Sequence, residues 1–414
     1  MSRHVVVIGA GIVGVCTAIY LQRAGHQVTL IDRLPPGDPG ASSYGNAGSI
    51  SWSNCVPNAM PGLLWKVPRW LLDRRGPLTI RWRHLPQLAP WLWHFIRSGT
   101  LEKVQRSADA LSWLHTPSLE LHQELAGAAG VTNLVRDCDY LHVYRDASAQ
   151  RLSSLEWQLR IERGARVEVL DRQGLLEYEP MLSARYVQAV RIEKQGYLVD
   201  PSALVRAYAD SFAASGGLIH QDTVHGFSLS DARVVGVKTS AGVFNADDFV
   251  IAAGAWSRQL MRELGLDLPL DTERGYHVMI PNSGVTLSNT VMDTHGKFVA
   301  TPMAQGLRIA GTVELASADA PPDYRRADML LEAAKALLPN LQSSNVTRWM
   351  GCRPSLPDGL PAIGPLPRHD NVFAAFGHAH TGMVGAPQTG RVIASMLRRE
   401  PVNFDLSPFA PNRF

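Results

Sequence analysis

Gly9, Gly11, Gly14 and Asp32 are the residues of this 414-residue chain whose types and spacing most plainly spell out chemistry. They lie in VVVIGAGIVGVCTAIYLQRAGHQVTLID, which begins at residue 5. A G-x-G-x-x-G run lets backbone approach a pyrophosphate: Gly9 makes the tight turn, Gly11 admits the phosphates, and Gly14 lets a helix pack closely on a strand. Ile12 and Val13 complete the turn, and the helix that starts there points its N–H groups and positive dipole end at the anion. Asp32, 18 residues after Gly14, is placed to accept a hydrogen bond from a ribose hydroxyl. Arg33 follows the acid directly and reads as a charge beside the phosphates rather than a reader of a 2′-phosphate. The chemistry implied is the binding of a dinucleotide redox cofactor.

Elements must position these residues, and the sequence supplies them. His4–Ile8 is an unbroken apolar run, as expected of a strand buried on both faces of a parallel sheet. Residues 15–24 read as a helix with Gly25 at its C-terminal cap, and residues 26–31 as a second strand ending at Asp32. An NAD domain should continue into a helix and a third parallel strand. This chain runs instead through RLPPGDPGASSYGNAGSISWSN, a loop of Pro, Gly, Ser and Asn without helical period. Its hydroxyls, amides and glycine N–H groups suit wrapping a phosphate or the edge of a flavin.

Composition bounds the alternatives. The chain is 45% hydrophobic and 19% charged with a formal net charge of +3, ordinary for a globular enzyme of two domains and without a whole-chain attraction to nucleic acid. Cys16, Cys55, Cys138 and Cys352 have no metal spacing and read as reduced thiols of a cytoplasmic protein. The start of the chain reads as strand and turn, not as a secretory leader, and no window has the roughly 18 unbroken apolar residues of a membrane span.

The pair GAGIVG…LID and SSYGNAGSI resembles the D-amino-acid oxidase and dehydrogenase superfamily of FAD enzymes, closest to the bacterial D-amino-acid dehydrogenases. Ser42, Ser43, Asn46, Ala47 and Gly48 match the second motif, and the resemblance implies that they contact the flavin and its phosphates. Two further blocks follow in order. Residues 196–229 read as a turn, a helix from Pro201, a strand at Leu218–Gln221 and a loop, and residues 243–260 as a strand entering AAGAWS. The resemblance puts Val224 near adenine and Ala253 and Gly254 near the pyrophosphate. The fourth block, 350–397, is similar to the C-terminal signature, with a helix expected over Gly390–Leu397 whose N-terminal dipole favours negative charge on the reduced flavin. Gly377, His378 and Gly382 match the segment expected beside the flavin; Ala379, His380 and Thr381 depart from it.

The resemblance also implies a substrate side. Arg353 is the candidate for the substrate carboxylate, because a guanidinium fork binds carboxylate bidentately. Tyr276, in TERGYHVMIP, is a second candidate for that carboxylate, with Arg274 and His277 beside it, and His378 is a candidate for touching flavin or substrate. The implied reaction is oxidation of a D-amino acid, or of a cyclic imino acid such as D-proline or hydroxy-D-proline, by hydride transfer to FAD. Sarcosine oxidases of this superfamily carry a Lys two residues after the glycine matched by Gly382, and a flavin-linking Cys at the position of Gly351. Val384 and Gly351 stand there, so non-covalent FAD and a non-oxygen acceptor such as quinone are expected. Residues 61–99, which hold five tryptophans and seven Lys/Arg against one Asp, read first as a helical excursion packed over the cofactor domain as a substrate lid; a peripheral contact with the inner face of the cell membrane is the other reading.

The expected fold is α/β (α+β overall), with a Rossmann-like FAD-binding domain from 1–60, 195–265 and 340–414 and a mixed-sheet substrate domain from 61–194 and 266–339. Competing readings are a glycine or sarcosine-type oxidase, a flavin subunit that only relays electrons, and an NAD dehydrogenase.

Overall fold

The computed structural model describes residues 2–62, 76 and 78–414. Its first unit is the one the glycine motif requires. The strand His4–Ile8 lies between Gln27–Asp32 and Asp248–Ile251, parallel to both. The full order is Ala362–Leu366, His369–Phe376, Asp248–Ile251, His4–Ile8, Gln27–Asp32, Leu218–Gln221. Valines 5, 6 and 7 have no exposed surface, as an apolar run in a doubly covered sheet should. The helix Ile12–Arg23 crosses back between the first two strands, and Gly25 (φ +87°) closes it.

The second unit is a large mixed sheet, in the order Thr347–Ser355, Asp271–Ile280, Gly306–Leu315, Phe298–Met303, Thr290–Asp293, Val135–Tyr144, Gln188–Leu198, Ser49–Ile50. Leu78–Ile80 adds beside Gly306–Leu315, and Val167–Leu170 beside Gln188–Leu198. Helix Arg325–Leu337 covers one face with a core that includes Val278, Ile280, Ile309 and Leu330. The other face looks toward the glycine turn.

Several elements differ from their sequence reading. Residues 224–229, read as loop, are the strand Val224–Ser230 of a three-stranded meander with Arg233–Thr239 and Gly242–Asn245. The strand Thr347–Ser355 pairs with the large sheet, although it was grouped with the cofactor domain. Helices Leu101–His115 and Ser118–Ala128 pack in one core with the helix Ile12–Arg23, although they were grouped with the substrate domain. The last helix starts at Gly382, not Gly390. Its glycines and Pro387 are poor helix formers in general, but here they have structural roles. A Cβ on Gly390 would lie 2.8 Å from the carbonyl oxygen of Cys16, so glycine there permits two helices to touch. Pro387 removes the N–H that would bond Met383 O, and His122 Nε2 donates to that carbonyl at 2.7 Å instead.

Candidate active site

The two sheets enclose a cavity of about 1040 Å³. One end is the glycine turn. Gly9, Gly11, Ile12, Val13, Asp32 and Arg33 line it. Gly9 has φ +111°, and a Cβ there would meet Ala252 O at 2.4 Å; a Cβ on Gly14 would meet Gly9 O at 1.7 Å. Glycine is therefore required by backbone contact at both places. Gly14 itself lies behind the wall, where it lets the helix approach the strand. Asp32 Oδ2 accepts from Ala10 N–H (2.6 Å) and Oδ1 from Leu34 N–H (3.0 Å), which fixes its carboxylate at the cavity edge. The helix starts at Ile12, and Gly11 before it supplies no capping side chain; Ser43 Oγ takes the Ile12 N–H, and the N–H groups of the rest of the first turn, with the positive dipole end, remain for an anion. Arg33 lies over the ring of Trp256, 4.0 Å from the centroid. Val224, Ala253 and Gly254 line the same end with Thr223 and Trp256.

The loop after Asp32 is held down at several points. Ser43 Oγ accepts from Ile12 N–H (3.0 Å), and Ser42 Oγ donates to Cys352 O (2.6 Å). Arg308 donates to Asn46 O (2.6 Å) and Tyr44 O (3.2 Å); burial lowers its pKa to about 10. His277 Nδ1 donates to Gly45 O (3.1 Å), and its ring stacks on Trp349, which leaves no room for a side chain on Gly45. Burial lowers the pKa of His277 to about 3, with Arg308 adding, so the ring is neutral. Ser42, Ser43, Asn46 and Ala47 thus line the cavity. Gly48 does not: its φ of +76° serves a turn packed on Met303 and Leu198. The glycine turn, the helix end, the acid at the cavity edge and the polar loop fit a dinucleotide along this wall, and the volume exceeds what a drug-sized ligand needs.

Beyond the loop, the large sheet forms a second wall. Glu273 and Gly275 of one strand, Gly351 and Arg353 of the next, and Ala310 and Thr312 beyond line it. Arg353 lies flat across Gly275, whose Cβ would be 2.1 Å from Nη2. Its Nη1 donates to Thr312 O (3.1 Å), which orients the fork. Burial lowers its pKa, and Glu273 pulls it back up. Facing this wall are Gly377, His378, His380, Gly382 and Val384. His378 is buried, with Nε2 2.9 Å from Thr389 Oγ1; that hydroxyl donates to Gly385 O (2.8 Å). Thr389 therefore accepts, and His378 is the neutral Nε2–H form with Nδ1 free as an acceptor. Burial, with His115 nearby, lowers its pKa to about 3. The last helix brings its N-terminal turn to the same place, so the helix end that favours negative charge is at Gly382 rather than Gly390.

Tyr276 is held differently from Arg353. It borders the cavity, but its hydroxyl donates to Glu314 Oε2 (2.6 Å) and accepts from Asp323 N–H (3.0 Å). Both its donor and an acceptor site are engaged within the protein, and its ring belongs to the core under helix Arg325–Leu337. Arg274 is fully buried and pairs with Glu314 at 3.4 Å, and neither it nor His277 lines the cavity. Alternation along the strand explains Arg274 and Tyr276, since Glu273 and Gly275 occupy the cavity face; His277 shares that face but is covered by Gly45 O and the Trp349 ring. The same alternation places Gly351 and Arg353 on the cavity and omits Cys352, whose thiol is 3.8 Å from Ala318 O. Sequence reasoning missed Glu273, Thr312 and Ser355; the only signal was the period of two around Gly275.

Of residues 61–99, Trp65 and Trp70 lie outside the described residues. The helix Leu85–Ser98 buries Leu88 and Trp91, and Trp91 Nε1 donates to Ser355 O (3.0 Å). Ile80, Leu85, Leu92 and Phe95 line the cavity, an apolar flank beside Arg353. Trp82 and Trp93 are 70% and 58% exposed. Among the described residues no helix is long and apolar enough to cross a membrane, and no cluster of metal-ligating side chains is present.

A family model described as DAO, FAD dependent oxidoreductase, matches residues 4–396. The chain is 41% identical to a D-amino-acid oxidase of Bradyrhizobium diazoefficiens, over 100% of this chain and 99% of that protein. It is 31% identical to a D-amino acid dehydrogenase of the same organism, over 99% and 98%. Among solved structures, glycine oxidase from Geobacillus kaustophilus superimposes with a TM-score of 0.78 at 21% identity, covering 100% of this chain and 99% of that one.

Proposed function

The chain belongs to the DAO family of FAD-dependent oxidoreductases, and on that premise we propose that it oxidises a D-amino acid, or a D-configured cyclic imino acid, at the α-carbon. The observation that carries this reading is Arg353: a guanidinium oriented by Thr312 O, laid over Gly275, on the wall of the cavity that also holds the dinucleotide cradle. Such a fork is built for a carboxylate.

FAD, when bound, supplies a two-electron hydride acceptor; Gly9, Gly11, Ile12, Val13, Asp32, Ser42, Ser43, Asn46 and Ala47 would hold it, with Val224, Ala253 and Gly254 at the adenosine end and Gly377, His378 and Gly382 at the flavin end. Arg353 fixes the substrate by its carboxylate, and positioning of this kind is worth up to roughly 7–11 kcal/mol of barrier. His378 keeps a neutral ring with Nδ1 as an acceptor, and the turn at Gly382 favours negative charge beside it. The apolar flank of Ile80, Leu85, Leu92 and Phe95 keeps water from the reacting carbon. A primary amine leaves as an imine that hydrolyses to a 2-oxo acid and ammonia, whereas a proline-type substrate leaves as a stable cyclic imine.

The electrons pass to an acceptor other than oxygen, such as a quinone, in keeping with Val384 where oxygen-using relatives are expected to carry Lys. The exposed Trp82 and Trp93, with Arg83 and Arg97 near them, support a peripheral seat on a membrane surface. A second reading, oxygen as acceptor, is favoured by the 41% identical relative that is named an oxidase. Anaerobic mixing with D- and L-amino and imino acids tests the first step: bleaching by D-isomers is expected, and bleaching by L-isomers alone overturns the reading. Admitting air then decides the acceptor. Peroxide formed at the turnover rate establishes the oxidase; slow reoxidation that a soluble quinone accelerates establishes the dehydrogenase. Activity on D-alanine far above that on D-proline and hydroxy-D-proline removes the cyclic substrates.

A further inference from the structure

We propose that Glu273 and Arg353 together form a receptor for an amino-acid zwitterion, in which Arg353 takes the carboxylate and Glu273 binds the α-ammonium and accepts its proton. The inference rests on the reading of Arg353 given above.

The strands Asp271–Ile280 and Thr347–Ser355 are antiparallel, and their register places Glu273 directly opposite Arg353. Side chains so opposed have Cβ atoms about 4.5–5.5 Å apart, and both residues line the cavity. Opposite charges at that spacing, largely out of water, ordinarily pair. These do not. Arg353 Nη1 donates to Thr312 O (3.1 Å), and Glu273 Oε1 accepts from the Ser355 hydroxyl (2.7 Å). Among the described residues no hydrogen bond or ion pair joins the two, and Glu273 Oε2 has no partner. Glu273 is only 6% exposed. A cavity wall thus presents one cation and one anion side by side, each tethered by a neighbour and each with unused hydrogen-bonding capacity. An α-amino acid carries the complementary pair, its ammonium and carboxylate joined through one carbon.

The surroundings suit proton transfer. Leu315 pairs with Glu273 on its other side, and Trp91 donates to the Ser355 carbonyl. Burial raises the pKa of the Glu273 carboxyl; the Ser355 hydrogen bond and then Arg353 lower it, and Asp271 raises it. Asp271, on the same strand, is held by His84 at 2.9 Å. His378 is bridged through its backbone to Ser355, and Glu314, next to Leu315, is engaged by Arg81 and Tyr276. A raised carboxyl pKa narrows the gap to an ammonium. In the step, the substrate N–H bond breaks and its proton goes to the Glu273 carboxylate, which becomes the carboxylic acid. The nitrogen lone pair so released forms the C=N bond as the α-hydrogen leaves with two electrons to the family's flavin. Glu273 then returns its proton to solvent through the cavity.

The test uses two ligands on the flavin-loaded protein: 2-aminoisobutyrate, a zwitterion with no α-hydrogen to lose, and isobutyrate, which lacks the amine. Calorimetry should show that Glu273→Gln lowers the preference for aminoisobutyrate at least tenfold while the Kd for isobutyrate stays within threefold. An unchanged preference, or equal losses for both ligands as a purely structural role requires, overturns the proposal. Arg353→Lys should weaken isobutyrate; if it does not, the carboxylate reading fails, which is a separate outcome. Ser355→Ala keeps the carboxylate but removes its donor, so the acid limb of the kcat/KM profile with D-alanine should move to higher pH. That variant tests the proposal even if Glu273→Gln fails to fold, and an unmoved limb overturns it.

Discussion

The glycine turn and the arginine-bearing sheet face the same cavity but are built in different ways. In the turn, Gly9, Gly11, Gly14 and Asp32 come from one βαβ unit, and the atoms that constrain them are mostly backbone: Ala252 O for Gly9, Gly9 O for Gly14, Ala10 N for Asp32. In the sheet, Glu273, Thr312 and Arg353 come from three strands, and the groups presented are side chains, each tied at one point: Arg353 to Thr312 O and Glu273 to the Ser355 hydroxyl. At Gly9 and Gly14 the backbone cradle tolerates no added atom, as suits a ligand of fixed shape. A side-chain wall can be altered one residue at a time, as suits the part of the site that distinguishes substrates. The comparison predicts that changes in the turn abolish cofactor binding, whereas changes in the wall spare it.

The largest effect is expected at Gly14. A Cβ 1.7 Å from Gly9 O cannot be relieved by a rotamer. Overpacking costs about 1–3 kcal/mol where side chains can adjust, and here only the backbone can. Gly14→Ala should purify with less than a tenth of the normal flavin absorbance per chain. Retention of flavin would remove the distinction drawn between the two regions.

Arg353→Lys comes next. Lys keeps the charge and loses the fork, and truncating a buried, hydrogen-bonded charge contact costs about 2–5 kcal/mol. The value of kcat/KM should fall by roughly 30-fold to several thousandfold, with flavin content unchanged. If flavin is lost in parallel, wall and cradle are one structure and the comparison fails.

Acid should act through two buried histidines, neither of them in the glycine turn. Burial lowers His277, in the wall, and His378, across from it, to about 3. The unfolded value is about 6.5, so below that pH the unfolded chain binds more protons. Stability is full above pH ~6.5 and falls as pH drops toward the folded values, by about 1.4 kcal/mol per unit for each histidine. Urea midpoints at pH 7.5 and 5 should show the loss, and His277→Gln should remove about 2 kcal/mol of it. A slope unchanged by that substitution would show that His277 is protonated in the fold.

The two regions also differ in how far they were legible. His4–Ile8 and Leu218–Gln221 are strands to the residue as read, because a local apolar run and its bounding turn determine them. The polar loop at 41–48 was identified by composition, yet what holds it, Arg308, His277 and Trp349, comes from more than 200 residues away. The start of the last helix was misplaced because Gly385, Pro387 and Gly390 serve close packing and a side-chain bond from His122, which no local window contains. Tyr276 was named and Glu273 was not, because a motif names residue types, whereas which face a side chain takes depends on pairing with a strand some 80 residues on. Tyr276→Phe measures what its hydroxyl does. Loss of its bonds to Glu314 and Asp323 should cost about 1–2 kcal/mol of stability and leave kcat/KM within twofold. A tenfold fall in kcat/KM at equal stability would return the hydroxyl to the substrate side.

The smallest effect is expected at Cys352, one residue from the position where a flavin-linking cysteine is expected in sarcosine oxidases. A one-residue step along a strand moves a side chain to the opposite face. Gly351 and Arg353 line the cavity, while the Cys352 thiol lies near Ala318 O, and burial raises its pKa so that little thiolate forms. The face it takes and its protonation both oppose a bond to a flavin held in the cavity. Acid precipitation should therefore release all the flavin from the unaltered protein and from Cys352→Ala alike, at a stability cost of about 1 kcal/mol for the lost sulfur. Flavin that stays with the precipitated protein and is freed by the substitution would mean that this strand turns its other face to the cavity, and with it that Arg353 does not face the substrate.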